Sequence, residues 1–324
     1  MDFNQIRSFV QVAELGSFTR AASVLRVAQP ALSRQVRALE VELRQPLFDR
    51  NGRGVTLTPA GQRLLAHGRG ILQQLERARH DLQDQRGAAS GLLSIALPPS
   101  IGRTLTAPLV DAFQAQFPKA TLSMVEGLST YTLEWLLQGR VDCAVVYNAT
   151  PTAAIDLLPV LQEGLYLVGT RPARQRSLIG KPAPLSAVAA SALVIPSRPH
   201  AIRMRLETAL AEAGLKPRVG LEIDSVPAIL DLVQRHADNG WHAVLSLNAI
   251  HGSGQPAAFA ARPIMLMPRD GVAAPLAATL WIATSAQRPR GPLLEQAIEM
   301  LSAMLLARLQ PAPAKPPKQA QRTV

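Results

Sequence analysis

Apolar positions in residues 1–60 fall into three short helical rhythms followed by an alternating stretch. Phe3, Ile6, Phe9, Val10 and Ala13 recur at the spacing of one helix face, and the run stops at Gly16, a residue suited to a left-handed helix end. Ser17 supplies a capping hydroxyl for a second, shorter helix with Ala21, Ala22 and Leu25 turned inward. Pro30 stands in the first turn of a third helix, on which Leu32, Val36, Leu39 and Leu43 are expected to bury against the first two.

The opposite face of that third helix carries Gln29, Ser33 and Arg37 one turn apart, with Pro30 and Arg34 beside them and no large apolar group. An amide, a hydroxyl and guanidiniums on one exposed helix end suit hydrogen bonding to base edges in a major groove; the alternative is an ordinary solvated face. Leu47 to Leu57 then has strand-forming ends around Asn51-Gly52, a strong hairpin signal, with Arg50 and Arg53 at or beside the turn. Three short helices followed by a basic hairpin make a winged helix-turn-helix. Thr58-Pro59 opens a long helix expected to run to about Arg86. Its seam of Leu64, Gly68, Ile71, Leu75, Ala78 and Leu82 suits the same helix of a second subunit, packing on its own domain being the alternative. Gly87 to Gly91 breaks the pattern and serves as a linker.

Beyond the linker, apolar runs of strand length alternate with helical patterns. Strands are expected over Leu92 to Leu97, Thr121 to Val125, Val141 to Tyr147, Leu165 to Gly169, Leu193 to Ile195, Val219 to Ile223, Ala243 to Leu247 and Leu280 to Ala283. Helical patterns such as Leu105 to Phe117, Leu133 to Leu137 and Ile202 to Ala213 lie between them. This predicts an α/β arrangement with mainly parallel pairing and two lobes around a cleft. The expected organisation is a DNA-binding domain at 1–58, a linker and dimerisation helix at 59–91, and at 92–310 a two-lobed domain, which the family resemblance given below would make an effector domain. In that domain 92–160 and 269–310 form one lobe and 161–268 the other. The Pro-rich, aperiodic stretch 311–324 is expected to be a disordered tail.

Charge sharpens the first of these domains. The chain carries 34 Lys+Arg against 23 Asp+Glu, a net +11. Residues 1–70 hold ten arginines, Arg20 among them, five acidic residues and no lysine; guanidinium forks suit bidentate contact with phosphates and guanines, a solvated basic surface being the alternative. Cys143 is the lone cysteine and lies in an apolar strand run, so a disulfide framework and a thiolate metal site are both excluded. With no export signal and no membrane-length apolar run, the expected location is the cytoplasm, away from membranes. Nucleophile-elbow, zinc-protease, P-loop and dinucleotide motifs are all absent, and the six histidines are scattered, so an enzyme is not expected. His200, at a strand end, is the histidine of interest, a surface position being the plainer reading.

Gly16-Ser17-Phe18-Thr19-Arg20-Ala21-Ala22, Ala28-Gln29-Pro30-Ala31-Leu32-Ser33-Arg34-Gln35, Leu47-Phe48-Asp49-Arg50 and Leu57-Thr58-Pro59-Ala60-Gly61 resemble, in order and spacing, the N-terminal signature of LysR-type transcriptional regulators. The likeness extends to about residue 308. Glu163 to Thr170 and Pro196 to His200 further resemble the nitrogen assimilation control branch. The resemblance implies a bacterial regulator that binds double-stranded promoter DNA as a homodimer or homotetramer and works with RNA polymerase. It also implies periplasmic-binding-protein-like lobes that sense a small co-inducer, with no other cofactor and no metal. Gln29, Pro30, Ser33 and Arg34 would enter the major groove, Arg50 and Arg53 would reach backbone or minor groove, and Arg20 and Arg37 complete the expected set. Effector contacts would come from Pro99, Ser100, Ser129, Thr130, Ser197, Arg198, His200, Asp224 and Ser225. A transporter solute-binding protein would explain the lobes but leaves residues 1–86 without a use, and an α/β enzyme would need a catalytic cluster. Two features depart from the family pattern: Ala28 stands where a capping serine is frequent, and Asp238 to Ala243 makes a longer turn with a bulky Trp241.

Overall fold

The computed structural model describes residues 1–51, 54–83, 90–172, 177–267 and 273–309, and it leaves the side chains of residues 50, 51, 77, 80–83 and 239 out of account. Gly52, Arg53, the linker residues 84–89 and the tail from 310 therefore lie outside the described residues, as does the Leu82 side chain. The chain divides into two compact units. One comprises Met1–Ser94 with Lys119–Ser123 and Glu134–Asp142, and the other holds the remainder.

The first unit begins with α1 (Phe3–Leu15), α2 (Phe18–Leu25) and α3 (Gln29–Leu43). Asp2 and Gln5 form a reciprocal capping box at the start of α1, and Gly16 ends it at φ 61°. Ser17 Oγ accepts from the Arg20 N–H at the start of α2. In contrast, α2 and α3 end on Arg26 and Arg44 at φ 55° and 52°, a conformation that favours glycine. The hairpin of β1 (Phe48–Asn51) and β2 (Gly54–Leu57) pairs Phe48 with Leu57 and Asn51 with Gly54. Thr58 Oγ1 then accepts from Gly61 N and donates to the Pro46 carbonyl, which starts α4 (Pro59–Gln83).

Phe9, Val12, Leu32, Val36, Leu39 and Leu47 form the core of this domain, with Phe48 ringed by Phe9 and Phe18 at centroid distances of 5.2 and 5.8 Å. Two expectations need correction. Leu43 is 36% exposed, because the core ends one turn earlier at Leu39. The α4 seam is split: Leu64 packs on the domain's own core, and a Cβ on Gly68 would meet Val10 at 2.8 Å. Among the described side chains of the seam, Ile71 and Ala78 in its later part are exposed and Leu75 is half-buried.

The second unit is a mixed α/β structure. Its elements, some beginning in the first unit, are β3 (Gly91–Leu97), α5 (Pro99–Gln116), β4 (Ala120–Glu126), α6 (Ser129–Leu137), β5 (Cys143–Tyr147), β6 (Ile155–Thr170), β7 (Ala183–Pro184), α7 (Leu185–Ala190) and β8 (Ala192–Ile195). They continue as α8 (Ala201–Glu212), β9 (Arg218–Glu222), α9 (Val226–Arg235), β10 (Trp241–Ser246), α10 (Leu247–His251), β11 (Phe259–Leu266), β12 (Ala274–Pro275), β13 (Ala277–Ser285) and α11 (Pro292–Leu309). The strand path is β4-β3-β5-β13-β6-β10-β8-β9. The first part of β6 pairs antiparallel with β13, and Leu165 onward pairs antiparallel with β10 and β11. One strand thus passes through two sheet regions.

Parallel pairing is confined to β3 with β5, β8 with β9 and β10, and β7 with β11 among the registers described. The expected mainly parallel sheet is therefore corrected to a mixed one. The reason lies in β6, which is 16 residues long and antiparallel to the strands beside it; its half-exposed first part lacked the apolar run expected of a strand. Strand β11 was missed because Arg262 and Pro263 interrupt its apolar pattern.

Candidate DNA interface and ligand cleft

Helix α3 segregates its faces as its spacing required. Leu32, Val36 and Leu39 are fully buried, while Gln29, Pro30, Arg34 and Arg37 are exposed and Ser33 is half-buried. Arg34 and Arg37 make no ion pair among the described residues, so their guanidiniums are uncommitted. The helix starts on Ala28, whose side chain cannot cap it, and Pro30 replaces one N–H of the first turn. A hydrogen bond between Ser8 Oγ and Gln35 ties α3 to α1 and fixes its rotation. Arg20 is exposed on α2 and donates to the Leu15 carbonyl at 2.5 Å.

In the second unit, helix starts and strand ends enclose a cleft with two chambers. One, of about 560 Å³, is lined by Pro99, Ser100, Arg103, Glu126, Asp224, Ser225, Val226, Pro227, Leu230, Ala249 and Ser253. The other, also about 560 Å³, is lined by Ser129, Thr130, Tyr147, Asn148, Pro199, Met204, Arg205 and neighbouring residues. Between them lies a constriction of about 20 Å³ bounded by Ser100, Ser129, Tyr147, His200 and Asp224.

Fixed dipoles and buried groups set the character of this constriction. Asp224 accepts from the Ser197 hydroxyl at 2.5 Å and its backbone N–H at 2.8 Å, and these bonds hold its carboxyl below the usual range. His200 Nδ1 accepts from Ile202 N at the start of α8, and burial pushes the imidazole down to about 4 although Asp224 opposes the shift. His200 is therefore half-buried and uncharged at neutral pH, a correction to the surface position expected for it. The loop that carries it is anchored by buried Arg203, which donates to the Pro196 carbonyl and pairs with Glu207 at 2.9 Å and Glu222 at 2.7 Å.

Behind the constriction Tyr147 donates to Glu163 at 2.5 Å, in a site where Glu163 is only 6% exposed. Burial raises the Glu163 carboxyl above its ordinary value against the hydrogen bonds from Tyr147 and Ser246. Burial, then the charge of Glu163, pushes the Tyr147 phenol well up. Asn248 adds a second bridge, donating to the Ser100 carbonyl at 3.3 Å and accepting from Thr104.

Seven of the nine expected effector residues line these cavities: Pro99, Ser100, Ser129, Thr130, His200, Asp224 and Ser225. Ser197 acts one step back by holding Asp224, and Arg198 pairs with Glu207 at 2.9 Å instead of lining any of the three. Trp241, at the end of the longer turn, covers Gly220, where a Cβ would meet the indole at 3.0 Å, and packs against the core of this unit; it lines none of the three cavities. Arg103, Glu126, Tyr147, Asn148, Glu163 and Arg205 were missed. Glu163 alone had a signal: a carboxylate in register with inward-facing Leu165 and Leu167 on one strand.

Comparison with known proteins decides which family owns this arrangement. Residues 3–62 match the model of the bacterial regulatory helix-turn-helix protein, lysR family, and residues 86–305 match the LysR substrate binding domain. The chain belongs to the LysR family of transcriptional regulators. The nitrogen assimilation regulatory protein nac of Escherichia coli K12 is 37% identical over 230 residues, covering 71% of this chain and 74% of that protein. Its counterpart in Klebsiella aerogenes is 34% identical over 293 residues, covering 82% and 94%. The crystal structure of CbnR, a LysR family transcriptional regulator, superposes with a TM-score of 0.64 at 24% identity, covering 94% of this chain and 99% of that one. A full-length OxyR variant from Pseudomonas aeruginosa superposes with a TM-score of 0.67 at 23% identity, covering 98% and 99%. At those identities the two structures establish the fold. This LysR regulator has, among its described residues, no helix long and apolar enough to cross a membrane and no cluster of side chains able to hold a metal ion.

Proposed function

We propose that α3 reads promoter DNA through Gln29, Pro30, Ser33, Arg34 and Arg37, with Arg20 and the wing arginines Arg50 and Arg53 gripping phosphates, and that a small effector in the cleft modulates this binding. The observation that carries the first part is the division of α3 into a sealed apolar face and an open face whose guanidiniums have no ion-pair partner among the described residues. Bidentate guanidinium contacts discriminate bases, whereas phosphate contacts add affinity without discrimination. The crystal structure of full-length CbnR complexed with its target DNA, which superposes with a TM-score of 0.65, supports the same use of this fold. The second part is supported by a cleft at helix starts and strand ends, the usual ligand position in open α/β sheets.

The same reading makes the protein a homo-oligomer that pairs through the exposed part of α4 and acts with RNA polymerase in the bacterial cytoplasm, turning over no substrate. A duplex enriched by the protein from a randomised pool provides the test. Over a salt series, Arg34→Ala should lose preference for that duplex over a scrambled one, while Arg53→Ala should weaken both equally and flatten the salt slope by about 1. If neither substitution changes binding, the assignment of these faces is wrong.

A further inference from the structure

We propose that the effector is an elongated zwitterion, with an ammonium group seated in the chamber of Glu126 and Asp224 and a carboxylate in the chamber of Arg205 and Asn148; this rests on the reading of the cleft as the effector site. The two chambers are equal in volume and opposite in character. The first holds two carboxylates, Glu126 and Asp224, against one guanidinium, Arg103. Space for Glu126 is made by Gly102, where a Cβ would come within 2.3 Å of its Oε1. Asp224 is kept in place by Ser197.

No carboxylate among the described residues lines the second chamber, and Arg205 is its charged group. Arg205 donates through Nε to the Ala277 carbonyl at 3.2 Å, which leaves its terminal N–H groups for a ligand. Asn148 sits at φ 50° and is clamped to β13: its backbone N–H donates to the Thr279 carbonyl and its Oδ1 accepts from Thr279 N at 2.9 Å. That bond fixes which way the amide faces. Its Nδ2 is buried and has no acceptor among the described residues, a donor that a ligand carboxylate would satisfy.

Walls shared with both chambers bound the constriction, which has room for about one water-sized group and so suits an unbranched chain over a ring. A dicarboxylate would place one end against Glu126 and Asp224, and a diamine would place one against Arg205. Each mismatch is a repulsive element that selects the zwitterion.

Calorimetric titration of the full-length protein with ω-aminovalerate, glutarate and cadaverine, and with their longer homologues, tests this. The aminocarboxylate series should bind at least about tenfold more tightly than either symmetric series. Arg205→Gln should erase its advantage over the diamine, and Glu126→Gln its advantage over the dicarboxylate. Asn148→Ala, which should weaken aminocarboxylate and dicarboxylate alike, serves if Arg205→Gln does not fold. Equal or tighter binding of a symmetric ligand, a preference that the variants leave untouched, or no binding by any member overturns the zwitterion assignment. Ser129→Phe, which fills the constriction, separates the two claims. If it abolishes binding of a symmetric ligand, the cleft stands and the class falls; if binding ignores it, the cleft reading itself fails.

Discussion

Helix α3 and the ligand cleft are both recognition surfaces, yet they are built by opposite means. Every group on the α3 face comes from one stretch of 9 residues, Gln29 to Arg37, and all but the half-buried Ser33 stand exposed to water. The cleft draws Ser100, Glu126, Tyr147, Asn148, His200, Arg205 and Asp224, with Glu163 behind them, from helix starts, strands and loops far apart in the chain, and burial changes what His200, Tyr147 and Glu163 are. A surface that acts by charge in water is set by spacing along a helix. A cavity that acts on a ligand is set by packing, which decides both the neighbours of each group and its protonation.

Four substitutions sharpen that contrast. Leu32→Ala, on the sealed side of α3, should cost about 2–5 kcal/mol of stability through cavity formation, read as a lower melting temperature of the first unit. Arg34→Ala, two residues on and on the open side, should leave melting within about 0.5 kcal/mol of wild type and cost about 1–3 kcal/mol in binding of the selected duplex. Equal melting losses for the two would break the division of faces.

The cleft should respond to pH where α3 does not. His200 has a folded value of about 4 against an ordinary 6.5, so between these values the unfolded chain binds more protons. Its contribution to stability is complete above about 6.5 and is lost as pH falls toward 4. His200→Asn keeps a capping group for α8 without the titration, so its denaturation midpoint should fall less steeply across this window than that of wild type. Parallel pH curves would show that His200 is not buried as described. The smallest effect is expected from Ala28→Ser, which supplies the missing cap of α3 and should add about 1 kcal/mol or less in thermal denaturation.

How far the fold was legible follows the same line. The three helices, the hairpin and the start of α4 were marked by local chemistry: Gly16 in a left-handed cap, Ser17 and Thr58 on the first N–H groups, Pro30 and Pro59 in first turns. Leu64 and Gly68 were harder, because a regular seam does not say whether α1 or a second subunit will fill it. Most strands of the second unit were visible as apolar runs, whereas the antiparallel passage of β6 depends on partners distant in the chain. Within the cleft, strand-end serines and Asp224 were expected from the family resemblance. Asn148 and Arg205 carried no local mark, since a lone Asn and an Arg on an ordinary helix acquire meaning only when β5 and α8 face one cavity.

The central claim is that the open face of α3 is the sequence reader. Selection from a randomised duplex pool, with wild-type protein and with a Gln29→Ala, Ser33→Ala, Arg34→Ala triple variant in parallel, tests it most directly. The account predicts that wild type enriches a defined pair of half-sites while the equally folded variant binds weakly and enriches none. Recovery of the same half-sites by both proteins would contradict it.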